Sequence, residues 1–333
     1  MSKKEYKIVS LFSGCGGMDK GFEGGFTFLN KTFPKHNFKT VFMNDIMKQA
    51  CETCKLNFQE SEVICGDIKK VISETPEDIP RNVDVIIGGF PCQDFSVAGK
   101  RGGLKTERGR LYQQMKKVIE LVKPKIFVAE NVKGLTNLGN AIETIISDFA
   151  NSTPSYQVNY KLLMAADYGI SQSRERVFII GIREDFIKRI SKKTKFKFNF
   201  PEPTHSMINS KLPQWINVRE TIKDLEESKI DRQNELSRAK NYGTHLQGNR
   251  SIDPNKVGPT IRAEHHGNIE FHYNKKRRLT VRECARIQSF PDDYKFWGST
   301  SNVYVQIGNA VPPVLAWHIA ESIKEILDKD DQN

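Results

Sequence analysis

Lys7-Ile8-Val9-Ser10-Leu11-Phe12-Ser13-Gly14-Cys15-Gly16-Gly17 decides the fold. Residues 7–12 read as a buried strand, because they are apolar and rich in β-branched side chains. Glycines 14, 16 and 17 then make a turn, and a helix is expected from Met18. Strand, glycine turn and helix open a nucleotide-binding βαβ unit, in which small residues let a ligand approach the backbone. The spacing departs from G-x-G-x-x-G, since Asp19 stands at the third glycine position. A dinucleotide dehydrogenase is therefore disfavoured. A glycine turn without a ligand is the plainer alternative.

Working outward, the strand–helix alternation continues. Residues 40–43 read as a second strand with Asn44-Asp45 at its tip, and 46–57 as a helix. An acid at that tip can bind both hydroxyls of a ribose. Residues 63–65 form a short third strand ending at Gly66-Asp67-Ile68, where Asp67 could accept from an amino group. Residues 83–87 make a fourth strand, and 110–122 an amphipathic helix. Residues 124–129 make a fifth strand that ends at Glu130-Asn131-Val132. A helix over 139–150 and strands over 156–164 and 176–182 follow. Alternating strands and helices predict an α/β fold with a mostly parallel sheet.

The fourth strand runs into Gly88-Gly89-Phe90-Pro91-Cys92-Gln93-Asp94-Phe95-Ser96. Two glycines end the strand, and a proline fixes the backbone just before a cysteine. Open α/β sheets place their chemistry at strand ends. Cys92 is thus a candidate nucleophile, against the plainer reading of a small buried thiol. Glu130, at the next strand tip, is a candidate acid or a helix cap. Residues 97–109 are glycine-rich, basic and long for a loop, which fits a lid or a disordered segment.

The 333 residues are 38% hydrophobic, enough for a full core and two lobes. No apolar run approaches the roughly 20 residues of a membrane helix, and no signal peptide is evident. A soluble, intracellular protein is expected. The six cysteines show no disulfide framework, as suits a reducing compartment. Cys51 and Cys54 form a C-x-x-C without further ligands nearby, so helix packing is expected and no metal. Residues 185–282 hold 21 Lys and Arg against 11 Asp and Glu, and so carry almost all of the chain's net +11. Such a segment suggests a polyanion partner, although a solvated lysine face would look the same. Prolines 201, 203 and 213 and weakened periodicity mark a change of domain after residue 184. The stretches 242–250 and 259–268 carry Arg, Gln, Asn and His, the side chains that read base edges. A helix over 280–288 is capped by Thr280 with Glu283 three residues on. The last segment, from Gln306 to Leu327, reads as a polar turn, two prolines and an amphipathic helix.

Together these stretches resemble the DNA (cytosine-5) methyltransferase family. Leu11–Gly17 is similar to its first motif, Pro91-Cys92-Gln93 to its catalytic motif and Glu130-Asn131-Val132 to its sixth. Gln172-Ser173-Arg174-Glu175-Arg176-Val177-Phe178 resembles the eighth. Arg278 to Ala285 resembles the ninth, and Gln306-Ile307-Gly308-Asn309-Ala310-Val311-Pro312 the tenth. The order is the family's, with a variable basic segment between the eighth and ninth. Cys15 replaces the usual Ala or Ser, and Asp45-Ile46 replaces a Glu followed by an aromatic residue.

The resemblance implies a Rossmann-like class I AdoMet-dependent methyltransferase with a mostly parallel sheet. Residues 1–184 and 302–333 would form the catalytic, AdoMet-binding domain. Residues 185–301 would form a smaller, irregular, β-rich target recognition domain. It implies methyl transfer from S-adenosyl-L-methionine to C5 of a cytosine flipped out of double-stranded DNA. Cys92 would attack C6, Glu130 would donate to N3, and Arg176 would approach O2. Arg174 would position phosphate or a loop, unless the two arginines exchange roles. The cofactor would meet Phe12, Gly14, Gly16, Gly17, Asp45, Ile46, Asp67, Ile68, Pro91, Leu111 and Asn309. DNA would meet Gln93, Ser96, Lys100, Arg101, Arg250 and Arg262. A monomer without metal is implied, of bacterial or phage type, possessing or lacking a partner restriction endonuclease. The same chemistry on tRNA, and a non-catalytic DNA-binding regulator, are the alternatives.

Overall fold

The computed structural model describes residues 4–91, 111–191, 196–225, 250–263, 270–274 and 277–330. In chain order the first elements are β1 (Tyr6–Leu11), α1 (Gly17–Glu23), β2 (Phe26–Phe28), β3 (Lys31–Phe33), β4 (Phe38–Asp45), α2 (Lys48–Asn57), β5 (Glu62–Cys65) and α3 (Ile68–Glu74). Next come β6 (Val85–Gly88), α4 (Tyr112–Val122), β7 (Ile126–Val132), α5 (Ala141–Ala150), β8 (Tyr156–Met164), β9 (Glu175–Arg183) and α6 (Glu184–Ile190). The remainder comprises α7 (Val218–Ile222), β10 (Arg250–Ser251), β11 (Glu270–Phe271), α8 (Val281–Ile287), α9 (Thr300–Asn309) and α10 (Pro313–Leu327).

Seven strands form one sheet in the order β5-β4-β1-β6-β7-β9-β8. β5, β4, β1, β6 and β7 pair in parallel, whereas β9 runs antiparallel to both neighbours. The inner strands are buried on both faces, so they read as unbroken apolar runs. One apolar layer packs α1 and α10 against the sheet, and α4 and α5 contribute to the layer on the other face. The chain order reverses between β1 and β6, and at such a switch point a crevice opens at the carboxyl ends of the strands. The α/β, mostly parallel architecture is as the sequence predicts.

Three local readings change. Gln306–Asn309 is no turn: it is the last turn of α9, whose N-cap Ser299 accepts from Asn302 N–H. The hairpin β2–β3 was not foreseen. Its bend uses Leu29 (φ 46°) and Asn30 (φ 62°). Beyond residue 184, Phe186, Ile187 and Phe198 still pack into the core beside α10. A third apolar cluster joins α8 and α9 to Cys15, Cys54 and Phe58 of the N-terminal lobe. Among the described residues of 185–301, the strands are the two-residue β10 and β11, paired in parallel.

Candidate active site

The tips of β1, β4 and β5 are tied together by polar groups. Ser13 N–H donates to Asn44 O at 3.0 Å. Asn44 Nδ2 donates to the carbonyls of Ile64 (3.0 Å) and Gly66 (3.1 Å). Asp45 Oδ2 accepts from Gly14 N–H and its Oδ1 from Met47 N–H, each at 2.8 Å. Burial raises the Asp45 pKa, and these backbone donors oppose the rise. Asp67 caps α3 through Oδ1, which accepts from Lys69 N–H at 2.9 Å. Cys51 and Cys54 donate to the carbonyls of Asp45 (3.3 Å) and Gly14 (3.2 Å). They pack α2 against these tips, and the described residues contain no group of three potential metal ligands.

The glycines of the first turn are not equivalent. Gly14 lies at φ 52°, and a side chain there would meet nothing within 4 Å. Gly66, beside Asp67, borders open space in the same way. A Cβ on Gly16 would instead strike Phe58, and one on Gly17 would lie 2.5 Å from Val311 O. Gly16 and Gly17 therefore serve packing, whereas Gly14 and Gly66 border a space. Asp45 links the two, accepting from Gly14 N–H with its carboxylate and from Gly66 N–H with its carbonyl, and Ile46 (74% exposed) and Phe12 (φ 51°) are near them in the chain. Leu111 and Pro91 are half-buried, and Asn309 is exposed at the end of α9. Ile68 is buried beneath α3 in the core. Open space flanked by a carboxylate and an exposed apolar side chain fits an adenosine-bearing sulfonium, which needs no phosphate cradle.

A second cluster lies at the tips of β6, β7 and β9. Glu130 is buried, and its Oε1 stands 3.0 Å from Arg176 Nε. Burial raises the Glu130 pKa, and the charges of Arg176 and Arg174 pull it back. The other oxygen, Oε2, would lie 3.0 Å from a Cβ on Gly89, so a side chain there would crowd the carboxylate. Asn131 Nδ2 donates to Phe90 O at 3.1 Å and holds that turn against β7. Asn131 was missed from sequence, where it reads as a neighbour of Glu130; a polar residue in a buried strand was the available signal.

Arg174 does not share the pair. It is 1% exposed and donates to the carbonyls of Ile261 (3.1 Å), Gly308 (3.0 Å) and Ala310 (2.9 Å). Arg262 is exposed on the segment so held. Arg250 contributes backbone to β10, and its side chain lies outside the described residues. Cys92, Gln93, Ser96, Lys100 and Arg101 also lie outside them.

The model of the C-5 cytosine-specific DNA methylase family matches residues 6–325. Type II methyltransferase M.NgoFVII of Neisseria gonorrhoeae is 37% identical, over 98% of this chain and 88% of its own length. M.NgoPII of the same organism is 35% identical, over 97% of this chain and 96% of its own. Among solved structures, a Spodoptera frugiperda DNMT2 variant shares the fold at a TM-score of 0.64 and 21% identity. That match covers 97% of this chain and 100% of the other. The chain therefore belongs to the C-5 cytosine-specific DNA methylase family, and its activity is that of a DNA (cytosine-5-)-methyltransferase.

Proposed function

We propose that the chain methylates C5 of a cytosine flipped out of a specific double-stranded DNA sequence, through a covalent bond between Cys92 and C6. The observation that carries this reading is the buried Glu130–Arg176 pair, set against the backbone three residues before Cys92. Cytosine C5 is too electron-poor to attack a methyl donor unaided. Addition of the Cys92 thiolate to C6 makes the ring an enamine and C5 a nucleophile. Glu130, kept protonated longer by burial, donates to N3 as negative charge develops on the ring. Arg176 stabilises the same charge at O2. As Arg176 turns toward the base its hold on Glu130 weakens, which favours the protonated acid. Bound S-adenosyl-L-methionine supplies the electrophilic methyl group. Asp45 would hold its ribose, Asp67 its adenine amino group, and Gly14 and Asn309 would border its methionine end. A base then takes the C5 proton, and the thiolate leaves C6 by elimination.

Within a duplex, C6 is stacked out of reach of a thiol, so the base must leave the helix. The basic segment 185–301 would hold phosphates and read sequence, and the segment 97–109, expected from sequence as a lid, lies outside the described residues. The full-length likeness to type II methyltransferases supports a place in a restriction–modification system, in the cytoplasm, beside an endonuclease acting on the same site. Bisulfite sequencing of DNA and RNA from cells expressing the wild type or Cys92→Ala tests the reading. Conversion-resistant cytosines at one short DNA sequence, absent with Cys92→Ala, are expected. Methylation confined to RNA, or persisting in Cys92→Ala, would overturn it.

A further inference from the structure

The segment 258–263 is stitched to the strand that carries Arg176. Ser173 N–H donates to Gly258 O at 2.8 Å, Gly258 N–H to Ser171 O at 2.9 Å, and Thr260 Oγ1 to Ser173 O at 2.8 Å. Both backbone groups of Ile261 are then taken by buried side chains. Its N–H donates to Gln172 Oε1 at 2.9 Å, and its carbonyl accepts from Arg174 at 3.1 Å. Gln172 also donates to Ile287 O (3.2 Å) and Gln288 Oε1 (2.5 Å), and Gln288 donates to Ala310 O (2.5 Å). Arg174 reaches Gly308 O and Ala310 O on either side of Asn309. Gly308 has no room for a Cβ, because the backbone of Arg262 and Ala263 lies against it.

Three parts with different tasks thus share one buried polar junction. They are the segment bearing the exposed Arg262, residues 171–174 that lead into the strand carrying Arg176, and the helix end bearing Asn309. Gln172, Gln288 and Arg174 are each at most 1% exposed, so loosening any bond here leaves a dry, unpaired group. Displacing one member of the junction therefore strains the bonds of the others. A shift of the Arg262 segment on DNA must displace residues 172–174, two to four residues from Arg176 along the chain.

We propose that Gln172 and Arg174 are positioning residues that couple the fit of the Arg262 segment on DNA to the alignment of Arg176 with Glu130. Discrimination between the correct site and its near relatives is then exercised partly in the chemical step. This rests on the methyl-transfer reading above. Single-turnover transfer at saturating DNA and cofactor is measured on the cognate duplex and on duplexes with one base pair changed. The variants are Arg174→Lys, which keeps the charge but loses the fork, and Thr260→Val, which removes one stitch at the surface end of the junction. The expected result is a larger loss of rate on the cognate duplex than on the altered ones. Discrimination would narrow by about 2- to 30-fold, the range of measured couplings along such networks, and cofactor Kd would change by less than about twofold. The alkaline limb of the rate profile should also move in Arg174→Lys. Equal losses on all duplexes in Thr260→Val, or in a folded Arg174→Lys, would overturn the coupling while the wild type still methylates DNA. A wild type that transfers methyl to no DNA would overturn the parent reading as well.

Discussion

Arg176 Nε and Glu130 Oε1 lie 3.0 Å apart, both largely buried, on adjacent antiparallel strands. Burial pushes the Glu130 pKa up and the guanidinium pushes it down. The carboxyl is thus pulled in opposite directions, upward by burial and downward by the charges of Arg176 and Arg174.

Removing Arg176 should separate the two roles. In Arg176→Ala the Glu130 pKa rises further, because only burial and the more distant Arg174 remain. The rate at neutral pH should fall about 10²- to 10³-fold, as when one oxyanion donor is lost. The remaining activity should persist to higher pH than in the wild type. Single-turnover rates between pH 6 and 9 check this, and a limb that moves to lower pH would sink the assignment.

Gly89 offers a finer probe. A methyl group there would lie 3.0 Å from Glu130 Oε2. Gly89→Ala should displace the carboxylate and lower the rate tenfold or more, with little effect on cofactor affinity; each 1.4 kcal/mol of lost alignment is about tenfold. Isothermal titration beside methyl-transfer assays would show the split. A rate equal to that of the wild type would mean that Glu130 is not held by this approach.

Asp45, at the tip of β4, accepts from Gly14 N–H of the first turn and from Met47 N–H two residues on. Asp45→Ala strands both donors, each costing about 1–3 kcal/mol when left unsatisfied. Cofactor Kd should rise at least about tenfold, and Asp45→Asn, which keeps one acceptor, should fall between. Equilibrium binding without DNA is the measurement. Unchanged affinity in the alanine variant would exclude Asp45 from the cofactor site.

Asp19 is fully buried in α1, where its Oδ1 accepts from Thr40 Oγ1 at 3.3 Å. Burial, partly offset by the Ser10 hydrogen bond, pushes its pKa up to about 7. The native state therefore binds the proton more tightly than the unfolded chain. Stability is fully present below the unfolded value near 4 and is lost as pH rises through about 7. Asp19→Asn removes this loss. Its melting temperature should gain on the wild type by a few degrees between pH 5 and 8, since about 1 kcal/mol moves Tm by a few degrees in chains of this size. A gap that stays constant with pH would refute the assignment.

Much of this was legible because parallel strands are buried on both faces and so advertise themselves as apolar runs. The acid at the tip of β7 was legible too, since chemistry collects where such strands end. For Arg174 and Arg176 the resemblance implied separate roles, a phosphate or loop for the first and O2 for the second, but left them exchangeable. Two arginines two residues apart look alike in sequence, and only the partners decide: three carbonyls for one, a carboxylate for the other. The β2–β3 hairpin was hidden because Leu29 takes the left-handed position that Asn or Gly usually signals. Gln306–Asn309 looks like a turn in sequence because a glycine, an asparagine and two following prolines outweigh the helical spacing of the buried Val303 and Ile307.

The packing of α1 against α10 sets a timetable for synthesis. Gly21 of α1 lies against Pro313 and Ala316, and Tyr6 Oη donates to Asp328 Oδ1 at 2.8 Å. The first strand therefore waits for the last helix. At about 5–20 residues per second, translation leaves that apolar face uncovered for tens of seconds. The nascent chain must be shielded from aggregation during that interval, and the first turn, whose Gly17 lies against Val311 O, is completed only once α10 has been made.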